Sequence, residues 1–93
     1  MAEAVATVST EHASRYLQQL CKHWAHKFAT DFGPDRGRID MGEGRTVDMT
    51  AAPDQLTVRI SSTGDAARLQ QVVEDHIVRF AFRETLAFDW RAA

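Results

Sequence analysis

Gln55-Leu56-Thr57-Val58-Arg59-Ile60-Ser61 alternates polar and apolar side chains without a break. A repeat of two places one set of side chains in a core and the other in water, as in a half-buried strand. A strand covered on both faces would read as a continuous apolar run, so the stretch predicts an antiparallel sheet packed on one side only. The pattern recurs on the N-terminal side. Phe28, Thr30 and Phe32 alternate, then Ile39 and Met41, then Val47 and Met49. Gly33-Pro34-Asp35-Arg36-Gly37, Gly42-Glu43-Gly44 and Ala52-Pro53-Asp54 interrupt these runs and read as turns. Further out, Val5 to Val8 is a short leading strand. Thr85 to Arg91 alternates through Leu86, Phe88 and Trp90 as a closing one.

Two other stretches carry the helical repeat. Ala13, Tyr16, Leu17, Leu20, Cys21 and Trp24 recur at spacings of three and four, after a Ser9-Thr10 cap with Glu11 suited to the first turn. This helix is expected to end near His26 or Lys27. Ala66, Leu69, Val73, Ile77 and Phe80 form a second stripe, widened by Val72, behind Asp65 as N-cap. The order is strand, helix, several strands, helix, strand. A two-layer α+β sandwich, with both helices packed on one face of a mostly antiparallel sheet, buries every apolar stripe at once. Trp24 and Trp90 both fall on the apolar phase of their segments and are expected to be largely buried. With no repeat, low-complexity tract or linker, residues 1–93 read as a single domain.

Composition narrows the function classes. Apolar residues make up 44% and charged residues 26%, which is too apolar for a disordered chain. Eleven basic against thirteen acidic residues leave a net charge of -2, which argues against non-specific nucleic-acid binding. No basic run suggests a membrane surface, and Met1-Ala2-Glu3-Ala4-Val5 lacks the features of an export signal. The expectation is therefore no nucleic-acid partner and no membrane partner. The lone Cys21 has no internal disulfide partner, which fits a cytoplasmic location.

The run Arg15-Tyr16-Leu17-Gln18-Gln19-Leu20-Cys21-Lys22-His23-Trp24-Ala25-His26-Lys27 resembles the signature helix of a small bacterial family, domain of unknown function 2218. The closing run His76-Ile77-Val78-Arg79-Phe80-Ala81-Phe82-Arg83-Glu84, followed by Trp90, resembles it too. The likeness extends over nearly the whole chain. Members are short bacterial proteins without an established activity, so the resemblance supplies no catalytic residue. It associates some members with neighbourhoods of iron and siderophore uptake genes.

The residues most able to carry a site are histidines. His76 lies inside the second apolar stripe, between Leu69, Val73 and Phe80. It reads either as a hydrogen-bonded core imidazole or as the lining of a pocket between the helices, where it would meet His23 or a ligand. His23 and His26 are three apart and could share one ion. Together with Lys22 and Lys27 they also suit the negative end of a helix, and two histidines are a weak metal signal unless a second element supplies the missing ligands; no metal is expected. Cys21 does not join them: at about 100° per residue it projects roughly 160° away from His23, on the apolar side with Leu17 and Trp24. Tyr16, at the edge of that side, completes the candidate ligand-binding set of His76, His23, His26 and Tyr16. Arg38, Asp40, Asp48, Arg59, Asp89 and Arg91 mark a polar sheet face, either solvated or covered by a partner. The serines have no nucleophile elbow and the acids are dispersed, so no catalytic constellation stands out.

The leading reading is a non-catalytic ligand-binding or accessory protein that holds a small molecule between helices and sheet and serves iron or siderophore handling. The alternative is a homodimeric interaction module without a small ligand. A small enzyme using His76 or His23 as acid or base comes third. The residues name no cofactor.

Overall fold

The computed structural model describes residues 2–93. Strand β1 (Ala2–Ser9) leads into helix α1 (Ala13–Trp24). Strands β2 (Ala29–Phe32), β3 (Arg36–Gly42), β4 (Arg45–Ala52) and β5 (Gln55–Ser62) form a meander, followed by α2 (Ala66–Phe80) and β6 (Asp89–Ala92). The sheet order is β2-β3-β4-β5-β1-β6, and every pairing is antiparallel. The chain thus starts inside the sheet, and α1 carries it across to the β2 edge. From β5, α2 carries it to the opposite edge. Both helices cover one face, as the one-sided alternation of β5 requires: Leu56, Val58 and Ile60 are fully buried.

Local chemistry accounts for most boundaries. In the β3–β4 hairpin Gly42 pairs with Arg45, leaving Glu43-Gly44 as a two-residue loop. Both loop residues have positive φ, 56° and 76°, the requirement of a type I′ turn that matches strand twist. Asp65 caps α2, its carboxylate accepting from the backbone N–H of Ala67 and Arg68. The core is formed by Leu17, Leu20 and Cys21 of α1, Val73 and Ile77 of α2, and the inward side chains of β1, β3, β4 and β5. Cys21 is fully buried, and burial pushes its thiol up to about 11.

Four boundaries or burials depart from the sequence reading. Helix α1 begins later than Ser9-Thr10 predicts: His12 is the N-cap residue and makes no side-chain cap. Thr10 is instead drawn into a tertiary contact, its hydroxyl accepting from His12 N–H at 3.0 Å and donating to Glu84 at 2.9 Å. The helix also ends at Trp24, two or three residues early; residues 25–27 form a closing turn in which Lys27 and Phe28 N–H share the Trp24 carbonyl. β6 spans only Asp89–Ala92, since residues 81–88 form an irregular strap that reaches α1 through Glu84. Trp90 is accordingly half-buried rather than largely buried. It sits on an edge strand of four residues, with its indole N–H donating to Glu74 of α2 at 2.9 Å. Trp24 is buried as expected.

The far face of the sheet carries no helix. Asp31, Arg38, Asp48 and Arg59 are successive cross-strand neighbours of alternating sign. Arg38 pairs with Asp48 at 3.0 Å, Arg59 with Glu3 and Arg91 with Asp89, both at 3.3 Å. All are solvent-exposed pairs, which contribute little to stability.

Candidate functional site

The inner layer of the sheet changes character at one end. In β4 the side chains two apart, Arg45, Val47 and Met49, point towards the helices. Val47 and Met49 are buried in the core, but the first member of the row is an arginine. Beside it on the same face lie Met41 of β3 and Ser62 of β5, both buried. Above them lie the end of α1, which stops at Trp24, and the start of α2, which begins after Thr63-Gly64-Asp65.

The result is an open cleft of about 470 Å³ between the two helices and the β3–β4 hairpin. Trp24, Phe28, Met41, Leu69 and Val72 supply its apolar surface; Lys27, Arg45, Arg68 and His76 supply its basic groups, and Glu43 and Asp65 its acids. The size falls within the range of small-molecule sites, about 300–1,000 Å³, and an apolar lining with a few convergent polar groups is their usual make-up. A second concavity, about 550 Å³, lies at the β2 edge around Asp31, Arg36, Arg38, Asp48 and Thr50. It is more polar, and its Arg38 and Asp48 already neutralise each other. The interhelical cleft is therefore the stronger candidate.

His76 occupies the wall of this cleft and is half-buried. Its ring stands 4.9 Å from that of Trp24 and 5.3 Å from that of His23, centroid to centroid. His23 in turn lies edge-on to Phe80 at 6.1 Å. Nδ1 of His76 is 2.7 Å from the Val72 carbonyl. A carbonyl can only accept, so Nδ1 carries the proton, and in the neutral ring Nε2 keeps its lone pair. The interhelical encounter of His76 with His23, one of the two sequence alternatives, is thus present.

The other two candidates stand apart from it. His26 lies in the turn beyond the end of α1 and is exposed. Tyr16 is buried nearer the start of α1, outside the cleft, and its hydroxyl donates to the Glu84 carboxylate. Burial, then Glu84, pushes the Tyr16 phenol up to about 12. The Tyr16 hydrogen bond in turn holds the Glu84 carboxyl below the usual carboxylate range, aided by Thr10. Among the described residues, no three His, Cys, Asp or Glu side chains converge as a metal cage.

Arg45, Arg68, Met41 and Phe28 were not singled out from the sequence as site residues. For Arg45 a signal was present: counting back by two from Val47 puts it on the apolar side of its strand. Arg68 carries no such mark, since a basic residue near the start of an exposed helix is unremarkable.

The family model for an uncharacterised protein conserved in bacteria, domain of unknown function 2218, matches residues 5–91. The chain belongs to this family. The chain is also similar to the NMR structure of PA4090 from Pseudomonas aeruginosa, which is 39% identical. The likeness covers 98% of this chain and 96% of that one, with a TM-score of 0.82. It supports the compact α+β arrangement of two helices on one sheet face. No curated protein is detectably similar in sequence. No helix among the described residues is long and apolar enough to cross a membrane.

Proposed function

We propose that this domain is a non-catalytic binding protein that holds a small, partly apolar molecule in the interhelical cleft. The observation that carries the reading is the replacement of core by cleft at one end of the sheet. There the edge of the core formed by Trp24, Phe28, Met41, Leu69 and Val72 lines an opening of about 470 Å³ ringed by Lys27, Arg45, Arg68 and His76. An apolar floor with a few convergent polar groups around its rim is the usual make-up of a small-molecule site. The link of some members to iron and siderophore uptake genes, which the resemblance implies, points this reading towards accessory handling of such molecules.

Gly64 allows a clean test. A Cβ placed there would meet nothing within 4 Å, and the residue lines the cleft. Titration of 15N-labelled protein with neutral 2-naphthylmethanol should shift the Trp24 indole and the Gly64, Leu69 and Val72 amides saturably. Gly64→Leu should fold normally and lose that response. Shifts scattered over the surface, or unchanged by Gly64→Leu, would reject the cleft as the site.

A second reading, a homodimer without a small ligand, is favoured by the uncovered sheet face. Its Asp31, Arg38, Asp48 and Arg59 row alternates in sign and could oppose an inverted copy of itself. Light scattering that gives the monomer mass at high protein concentration and low salt would remove it.

A further inference from the structure

Resting on the binding reading above, we infer that the occupant of the cleft is a carboxylate with an apolar body, held by the Arg45 guanidinium. Arg45 is a charged residue on the inner face of the sheet, in the same row as the buried Val47 and Met49. Its Nε is enclosed without a hydrogen-bond partner, while the side chain as a whole is 41% exposed, so the guanidinium meets the cleft through its outer nitrogens. The nearest carboxylate does not saturate them. Glu43 approaches only Nη2, at 3.8 Å, from a turn where its own side chain is 86% exposed.

The geometry of the guanidinium defines the missing group. The two Nη–H groups at its outer end project side by side and match the two oxygens of a planar carboxylate in a bidentate pair. The surrounding charges agree. Arg68 and Lys27 also line the cleft and make no ion pair among the described residues. The remaining acid, Asp65, is committed to the backbone of α2 as its cap. That same cap satisfies the first N–H groups of α2, so the helix end does not compete for the anion. The apolar body would then lie on Trp24 and Met41.

The test compares two probes of the same shape, 2-naphthoate and 2-naphthylmethanol, by NMR titration with the Arg45 Nε–H resonance as reporter. The carboxylate should bind about tenfold tighter or more, the advantage of a charge-assisted pair, and should move the Arg45 Nε–H signal. Arg45→Gln should erase the difference between the probes while leaving the neutral one bound. Inorganic phosphate, added alone, should compete weakly, because it lacks the apolar body.

Equal affinity for the two probes, or a preference for naphthoate that survives Arg45→Gln, would overturn the carboxylate inference and leave the cleft itself intact. Failure of both probes to perturb the cleft would overturn the binding reading, and this inference with it.

Discussion

Tyr16 of α1 and Glu84 of the strap after α2 are joined by a hydrogen bond, the phenol donating to the carboxylate across a sequence separation of 68. Thr10 donates to the same Glu84 oxygen at 2.9 Å. One carboxylate therefore ties the strap to both the start and the first turns of the α1 region. Tyr16→Phe should cost about 1–2 kcal/mol, the worth of a hydrogen bond to a charged acceptor.

The pH dependence of that loss has a defined sign. Glu84 is held below its ordinary value by Tyr16, so its contribution is present above the unfolded pKa and lost as pH falls through the folded one. Tyr16 is raised to about 12, so its contribution is present below the unfolded value of 10.0 and lost as pH rises towards 12. Urea denaturation of wild type and Tyr16→Phe should show the gap widest between these limits and narrowing in acid and in strong base. A gap independent of pH would show that the pair is not the source of the stability.

The two tryptophans should separate. Trp24 is buried against the core, and Trp24→Ala should cost about 3–5 kcal/mol. Trp90→Phe keeps most of the packing on an edge strand and removes one hydrogen bond to Glu74, so about 1 kcal/mol is expected. Equal losses in chemical denaturation would place Trp90 in the core after all.

Gly37 is needed for space. A Cβ there would approach Cys21 Sγ at 2.8 Å, Leu17 Cδ2 at 3.0 Å and Phe32 Cβ at 3.2 Å. Gly37→Ala should destabilise by about 1–3 kcal/mol, and combination with Cys21→Ala should recover part of it. Simple additivity of the two changes in a double-mutant cycle would contradict this contact.

What was legible in the sequence follows from how local each feature is. Leu56, Val58 and Ile60 declare a one-sided strand by their own spacing, Asp65 announces a helix start, and Gly42-Glu43-Gly44 announces a hairpin. Each of these needs only a few neighbouring residues. Helical spacing likewise carried His23 and Trp24 to one end of α1, but it could not show that the helix stops before His26. Glu84 could not be read at all, because its partners Thr10 and Tyr16 lie 74 and 68 positions away. Trp90 has the apolar phase of its strand, yet phase does not reveal that the strand is an edge. Arg45 was marked by parity with Val47; its unpaired Nε is a property of the packed structure and has no local signal.

His76 should matter more than His26. His76 packs on Trp24 and His23 and bonds to the Val72 carbonyl, whereas His26 is exposed. His76→Ala should lower stability by about 1 kcal/mol and weaken binding of an aromatic probe. His26→Ala should stay within about 0.5 kcal/mol of wild type and bind normally. The reverse order in thermal and probe titrations would move the site to the end of α1.

The cleft itself is tested most directly by intermolecular nuclear Overhauser effects between 2-naphthoate and isotope-labelled protein. The ring protons should contact the Met41, Leu69 and Val72 methyl groups and the Trp24 indole, and none of the Thr50 or Thr57 methyls on the uncovered sheet face. Contacts to those threonines alone, or none to the four cleft residues at saturating probe, would contradict the account.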